Sequence, residues 1–202
     1  MEVYAMTCTS RPIDAISVAA GFCYGKSDAK DKRVARCIAS GHLSVLEHAS
    51  ITFEIFGISR ACMAQLTRHR MASFCVESQR YCKYDEELFE GEDWYVIPPA
   101  FDCDVVSRDA YKSFVKQDAE HYMIAVNSGI KPEDARYLLP NAMKTNLVMS
   151  CNARELFHIL EMRLDGAAQW EIRELAEKLK EAAKAVSPQW CVLVEMWEQN
   201  RG

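Results

Sequence analysis

The chain predicts an α+β fold in a single domain spanning residues 1–202, and three observations lead there. Apolar residues alternate over 50–57, with Ile51, Phe53 and Ile55 on one face, as in a half-buried strand. A helical pattern runs from 105 to 127, with Gly129 near its C-terminal stop. Strands and helices are mixed without the regular β-α-β rhythm of a doubly wound sheet.

Taken in order, residues 31–42 read as a short helix stopped by Gly41, followed by the strand at 50–57. "ISRACMAQLTRHRMAS" (58–73) then reads as a helix running into a basic stretch. "DWYVIPP" ends in two prolines and reads as a short extended piece. After the long helix, "KPEDARYLL" is a short helix ended by Pro140, and "TNLVMSC" is a strand. From Asn152 to about Val186 the pattern is two helices broken near "LDGAA". No repeat, low-complexity segment or Gly/Ser linker divides the chain.

The 202 residues are enough to bury a real core, and half of them are apolar. No apolar run approaches the span a bilayer needs, and the start "MEVYAMTCTSRPIDA" is not a basic-then-apolar leader, so a cytoplasmic protein without membrane contact is expected. Nine cysteines, odd in number and without a Cys-x-x-Cys pair, predict reduced and mostly buried thiols rather than disulfides or a metal site. A net charge of −5 argues against a surface that coats nucleic acid. None of the eight glycines forms a Gly-x-Gly-x-x-Gly or a phosphate-binding loop.

Against that acidity, residues 60–80 hold Arg60, Arg68, Arg70 and Arg80 but one acid, Glu77. If the helix continues through Arg68, Gln65 shares its face while Arg70 points elsewhere. Ser78 beside Arg80 places a small hydroxyl next to a guanidinium fork, a combination suited to phosphate. The bland alternative is a solvated helix end whose arginines pair with distant acids. In "NARELFHILEMR", Asn152 followed by Glu155 resembles a capping box, and Arg163 continues a face through Leu156 and Ile159. Such an arginine either faces a ligand or pairs with an acid such as Asp165 or Glu161. Arg154 and His158, four apart, form a second polar face. In "GHLSVLEHAS", His42 and Ser44 sit in a connecting loop where ligands commonly bind, while Glu47 and His48 read as an ordinary surface pair.

The ordered blocks "GHLSVLEHASITFEI", "ISRACMAQLTRHR", "SQRY", "LPNAMKT", "NARELFHILEMR" and "AAQWEIREL" resemble the flavin-dependent thymidylate synthases over about residues 40–180. The hallmark is Arg68-His69-Arg70, seven residues, then Ser78. The resemblance implies a central mixed or antiparallel sheet flanked by helices, in a homotetramer with active sites at subunit interfaces. It implies reductive methylation of dUMP to dTMP, with FAD as cofactor and NADPH and methylenetetrahydrofolate as co-substrates. Residue by residue, it puts Gln65, Arg68, Glu77, Ser78, Gln79 and Arg80 on dUMP, with Arg136 joining from another subunit. Arg163 matches the arginine facing the uracil ring, the catalytic position. His42, Ser44, Arg68, His69, Arg70, Asn152, Arg154 and His158 match FAD contacts, His158 replacing an asparagine of some members.

Cys75-Val76 stands where many members have Asn-Glu, so a glutamate contact is lost or moves to Glu77. Cys75 is not taken as a nucleophile, because the flavin route requires none. A rival reading is a non-catalytic nucleotide- or RNA-binding module in which Phe74 and Tyr81 stack on bases.

Overall fold

An extended segment at the start of the chain, Glu2–Cys8 (β1), pairs antiparallel with Ser50–Ser59 (β2), from Glu2 opposite Phe56 to Cys8 opposite Ile51. The computed structural model describes residues 1–82 and 84–200; Lys83, Arg201 and Gly202 of the expected 1–202 domain lie outside the described residues. Contacts group the chain into two units. The first is Met1–Phe56, Leu66–Cys75 and Leu147–Gly202; the second is Gly57–Gln65 and Val76–Asn146.

In the first unit, helix α1 (Pro12–Phe22) begins on a proline and buries Ile13, Ile16, Ser17 and Ala20 along one stripe. Helix α2 (Asp31–Ala39) buries Val34 and Ile38 and is stopped as expected, with Gly41 at φ +71°. A 3-10 turn, Leu43–His48, leads into β2, whose Ile51, Phe53 and Ile55 are buried as the alternation requires. The sheet has four strands in the order β1-β2-β4-β3, with β3 at Ser73–Val76 and β4 at Lys144–Asn152. This bears out the α+β class. Helices α7 (Ala153–Arg163), α8 (Trp170–Val186) and α9 (Pro188–Gln199) close the chain. Helix α8 packs against β1 and α9. Trp190, fully buried, donates from Nε1 to the Thr9 carbonyl at 3.0 Å, so its one polar atom is satisfied inside the core.

The second unit contains most of a short helix α3 (Arg60–Leu66), then α4 (Glu86–Glu90), α5 (Val105–Asn127) and α6 (Pro132–Ala135). The bounds of α5 follow from its caps: the Asp104 carboxylate accepts from Ser107 N at 2.9 Å, and Gly129 takes φ +90° beyond the end. Its core is aromatic: Tyr84, Trp94, Tyr95 and Tyr122 are buried, with Phe89 edge-on to Trp94 at 4.9 Å. "DWYVIPP" is extended only in part: Asp93 and Trp94 lie in a turn, Tyr95 bridges to Met143, and Pro99 opens a 3-10 turn, Pro99–Phe101.

Two further expectations are corrected. The helix at 58–73 stops at Leu66, because His69 N donates to Leu66 O and Ala72 N to His69 O, turning the chain into β3. The cysteines are not mostly buried: Cys62 and Cys151 are, whereas Cys23, Cys75 and Cys103 are exposed. No helix among the described residues is long and apolar enough to cross a membrane.

Candidate active site

The ends of α7 and the turn after α3 build the first unit's polar region. Asn152 caps α7, its side-chain oxygen accepting from Glu155 N at 2.9 Å. Leu156 and Ile159 are buried on the stripe that Arg163 continues. Arg163 Nε donates to His69 Nε2 at 3.0 Å, and Asp165 is engaged by Ala167 N at 2.8 Å. His69 is only 5% exposed. Burial, helped by the charge of Arg163 and by the neighbouring His158, pulls its pKa down to about 4, so the ring is neutral at neutral pH. His158 meets it edge-on at 5.7 Å.

Glu155, 7% exposed, places Oε1 3.6 Å from His69 Nδ1. With the imidazole neutral, this is a carboxylate facing a dipole rather than an ion pair. Burial pushes the Glu155 carboxyl up, and His158 and Arg154 pull it partly back.

Three cavities adjoin this region. Arg68, His69, Arg70, His158 and Arg163 line one of about 540 Å³. Asn152, Arg154 and His158, with Leu43, Phe157 and Trp197, line a second of about 490 Å³. His42, Ser44 and Arg154 line a third of about 360 Å³. His158 borders the first two and Arg154 the last two, so the cavities share walls. All eight residues matched to flavin contacts therefore line hollows of the first unit that share wall residues. Phe157 and Trp197, stacked on one another at 5.2 Å and 8°, contribute apolar lining to the middle hollow. Arg154 Nη1 donates to Glu47 Oε1 at 2.5 Å, so Glu47 is not simply a surface partner of His48.

Six residues matched to dUMP lie in the second unit: Gln65, Glu77, Ser78, Gln79, Arg80 and Arg136. Arg80 Nε donates to Glu133 Oε2 at 2.8 Å, and Arg136 Nε to the Glu133 carbonyl at 3.0 Å, which brings both arginines to one residue of the same chain. Ser78 Oγ accepts from Arg80 N at 3.2 Å. Gln79 Nε2 meets Met143 Sδ at 3.4 Å. Glu77 is bound internally: its carboxylate accepts from Tyr84 Oη at 3.2 Å and Asn146 Nδ2 at 2.9 Å. Gln65 lies in α3, but Arg68 is in the following turn, so the shared helix face expected for them does not exist. Sequence reasoning missed Glu155, Glu47 and Glu133 as partners, since nothing in the local pattern marks an acid whose arginine or histidine lies far along the chain.

A family model described as thymidylate synthase complementing protein matches residues 5–189. The flavin-dependent thymidylate synthase of Pyrococcus furiosus is 39% identical over 197 residues, covering 91% of this chain and 80% of its own. That of Geobacter sulfurreducens is 38% identical over 199 residues, covering 93% and 84%. Among solved structures, a Helicobacter pylori flavin-dependent thymidylate synthase complexed with FAD and dUMP superposes with a TM-score of 0.77 at 29% identity, covering 96% of this chain and 98% of that one.

Proposed function

Since the chain belongs to the thymidylate synthase complementing protein family, the flavin-dependent thymidylate synthases, we propose that it converts dUMP to dTMP by reductive methylation with FAD as its cofactor. One observation carries the site assignment. Residues from His42 to His158, distant in sequence, line three hollows with shared walls, and Arg163 lines one of them.

The hollows fit a flavin dinucleotide chemically. An elongated anion with a flat ring system needs cations spaced along it and an apolar wall, and Arg68, Arg70 and Arg154 with Phe157 and Trp197 offer both. When bound, the flavin relays two electrons from NADPH, while methylenetetrahydrofolate supplies the carbon. Arg163 holds a fixed positive charge against the uracil, favouring the enolate-like form in which ring carbon C5 is nucleophilic. Arg80, joined by Arg136 of another subunit, neutralises the phosphate of dUMP, and Ser78 acts as a hydrogen-bonding group rather than a nucleophile. The active assembly is a homotetramer.

The test is dTMP formation by the flavin-loaded protein, followed as NADPH-dependent tritium release from C5-labelled dUMP. Arg163→Ala is expected to lower the rate by about 10²–10³-fold with bound flavin unchanged. Near-normal turnover would remove the role assigned to Arg163. Protein that takes up no flavin would favour the non-catalytic nucleotide-binding alternative.

A further inference from the structure

His69 is a buried neutral imidazole wedged between a cation and a carboxylate, and membership of a flavin-contact set does not account for that. A neutral imidazole carries one N–H and one lone pair. Arg163 Nε always bears hydrogen and can only donate, so the His69 Nε2 that lies 3.0 Å from it presents the lone pair. The proton is then on Nδ1, the atom facing Glu155 Oε1 at 3.6 Å. That separation exceeds a hydrogen bond, yet it keeps the carboxylate close enough to act on the imidazole dipole, with both side chains largely buried.

The opposite tautomer would be wrong at both ends. It would set an N–H against the Arg163 N–H and a lone pair against the carboxylate. Glu155 and Arg163 stand eight residues apart on α7, about 12 Å along the axis, and the His69 side chain approaches both from the preceding turn.

We propose that Glu155 is a positioning residue: its carboxylate holds His69 in the Nδ1–H tautomer, so that Nε2 stays an acceptor and orients the guanidinium of Arg163. The inference rests on the reading above for what Arg163 does, not for how it is held. Glu155 also lies in the first turn of α7, where a carboxylate is favoured by the helix dipole. A helix-stabilising role alone would change stability but leave the tautomer and kcat as they are.

The experiment compares wild type, Glu155→Gln and Glu155→Leu as flavin-loaded proteins. The His69 tautomer is read by long-range ¹⁵N NMR on histidine-labelled protein, its signals identified by their loss in His69→Gln. Wild type is expected to carry the proton on Nδ1. Glu155→Leu should shift it toward Nε2 and lower kcat by on the order of 10- to 100-fold, with KM for dUMP little changed. Glu155→Gln, whose amide oxygen can still face Nδ1–H, should keep the tautomer and most of the rate.

A wild-type proton on Nε2, or an Nδ1–H tautomer and normal kcat in Glu155→Leu, would overturn the proposal. If Glu155→Leu fails to fold, Glu155→Ala takes its place, with the same expected tautomer shift and the same overturning result. If wild type makes no dTMP, the proposed function falls, while the tautomer remains readable and decides the inference about Glu155.

Discussion

His69 couples the fold to pH. Its folded pKa of about 4 lies below the ordinary 6.5, so the unfolded chain binds a proton that the folded one refuses over that interval. The sign follows: stability is complete above about pH 6.5, declines as pH falls, and the loss is finished near pH 4. A tenfold difference in proton affinity between the two states is worth about 1.4 kcal/mol. Denaturant titrations of wild type between pH 7 and 4 should fall more steeply than those of His69→Gln; parallel curves would refute this. Glu77 gives a second expectation. Its carboxylate serves Tyr84 and Asn146, and Asn146 in turn accepts from Gly57 N at 3.0 Å. Glu77→Leu should therefore destabilise by about 1–3 kcal/mol in chemical denaturation, whatever it does to dUMP affinity. At this scale the sequence reveals residue types but not pairs. Asn152 is legible as a cap because its partner is three residues away. Arg154 with Glu47, 107 positions apart, and Arg163 with His69, 94 apart, are not, because no periodicity links them.

Among the elements, legibility tracks contrast between faces and clear punctuation. Helix α5 is readable with its bounds, having caps at both ends. Helix α1 escapes notice because its buried stripe includes Ser17, Ala20 and Gly21, which carry little apolar signal. Strand β1 does so because the outward Tyr4 and Met6 are as apolar as the half-buried Val3 and Ala5, so its alternation in burial is not an alternation of residue type. The basic stretch reads as helix because residues 60–66 begin one; the turn at His69 is imposed by the need to add β3 to the sheet, a non-local demand. Two element ends can be tested. Asn152→Ala should cost about 0.5–2 kcal/mol by removing the α7 cap. Gly41→Ala should cost about 1–2 kcal/mol even though open space surrounds the position, because φ +71° strains any Cβ. Thermal melts of both variants check this, and an unshifted midpoint in either would contradict its assignment.

Across the molecule, the α+β class is legible from two strands and the long helix, whereas the grouping into two units is not, because it depends on which distant segments pack together. The exposed Val106, Phe114 and Ile124 of α5 and Tyr137 are apolar surface of the kind that subunit association buries. Sedimentation at micromolar protein is expected to give the mass of four chains; a monomer would remove the proposed tetramer. The first unit is assembled from three separated stretches, and β2 neighbours β4, which is translated some eighty residues later. At roughly 5–20 residues per second, a ribosome-bound chain waits several seconds with Ile51, Phe53 and Ile55 already outside the exit tunnel and half their sheet unmade. Biogenesis therefore passes through an interval in which an apolar nascent strand lacks one neighbour, and slowing synthesis between residues 60 and 144 should lower soluble yield without altering the finished enzyme.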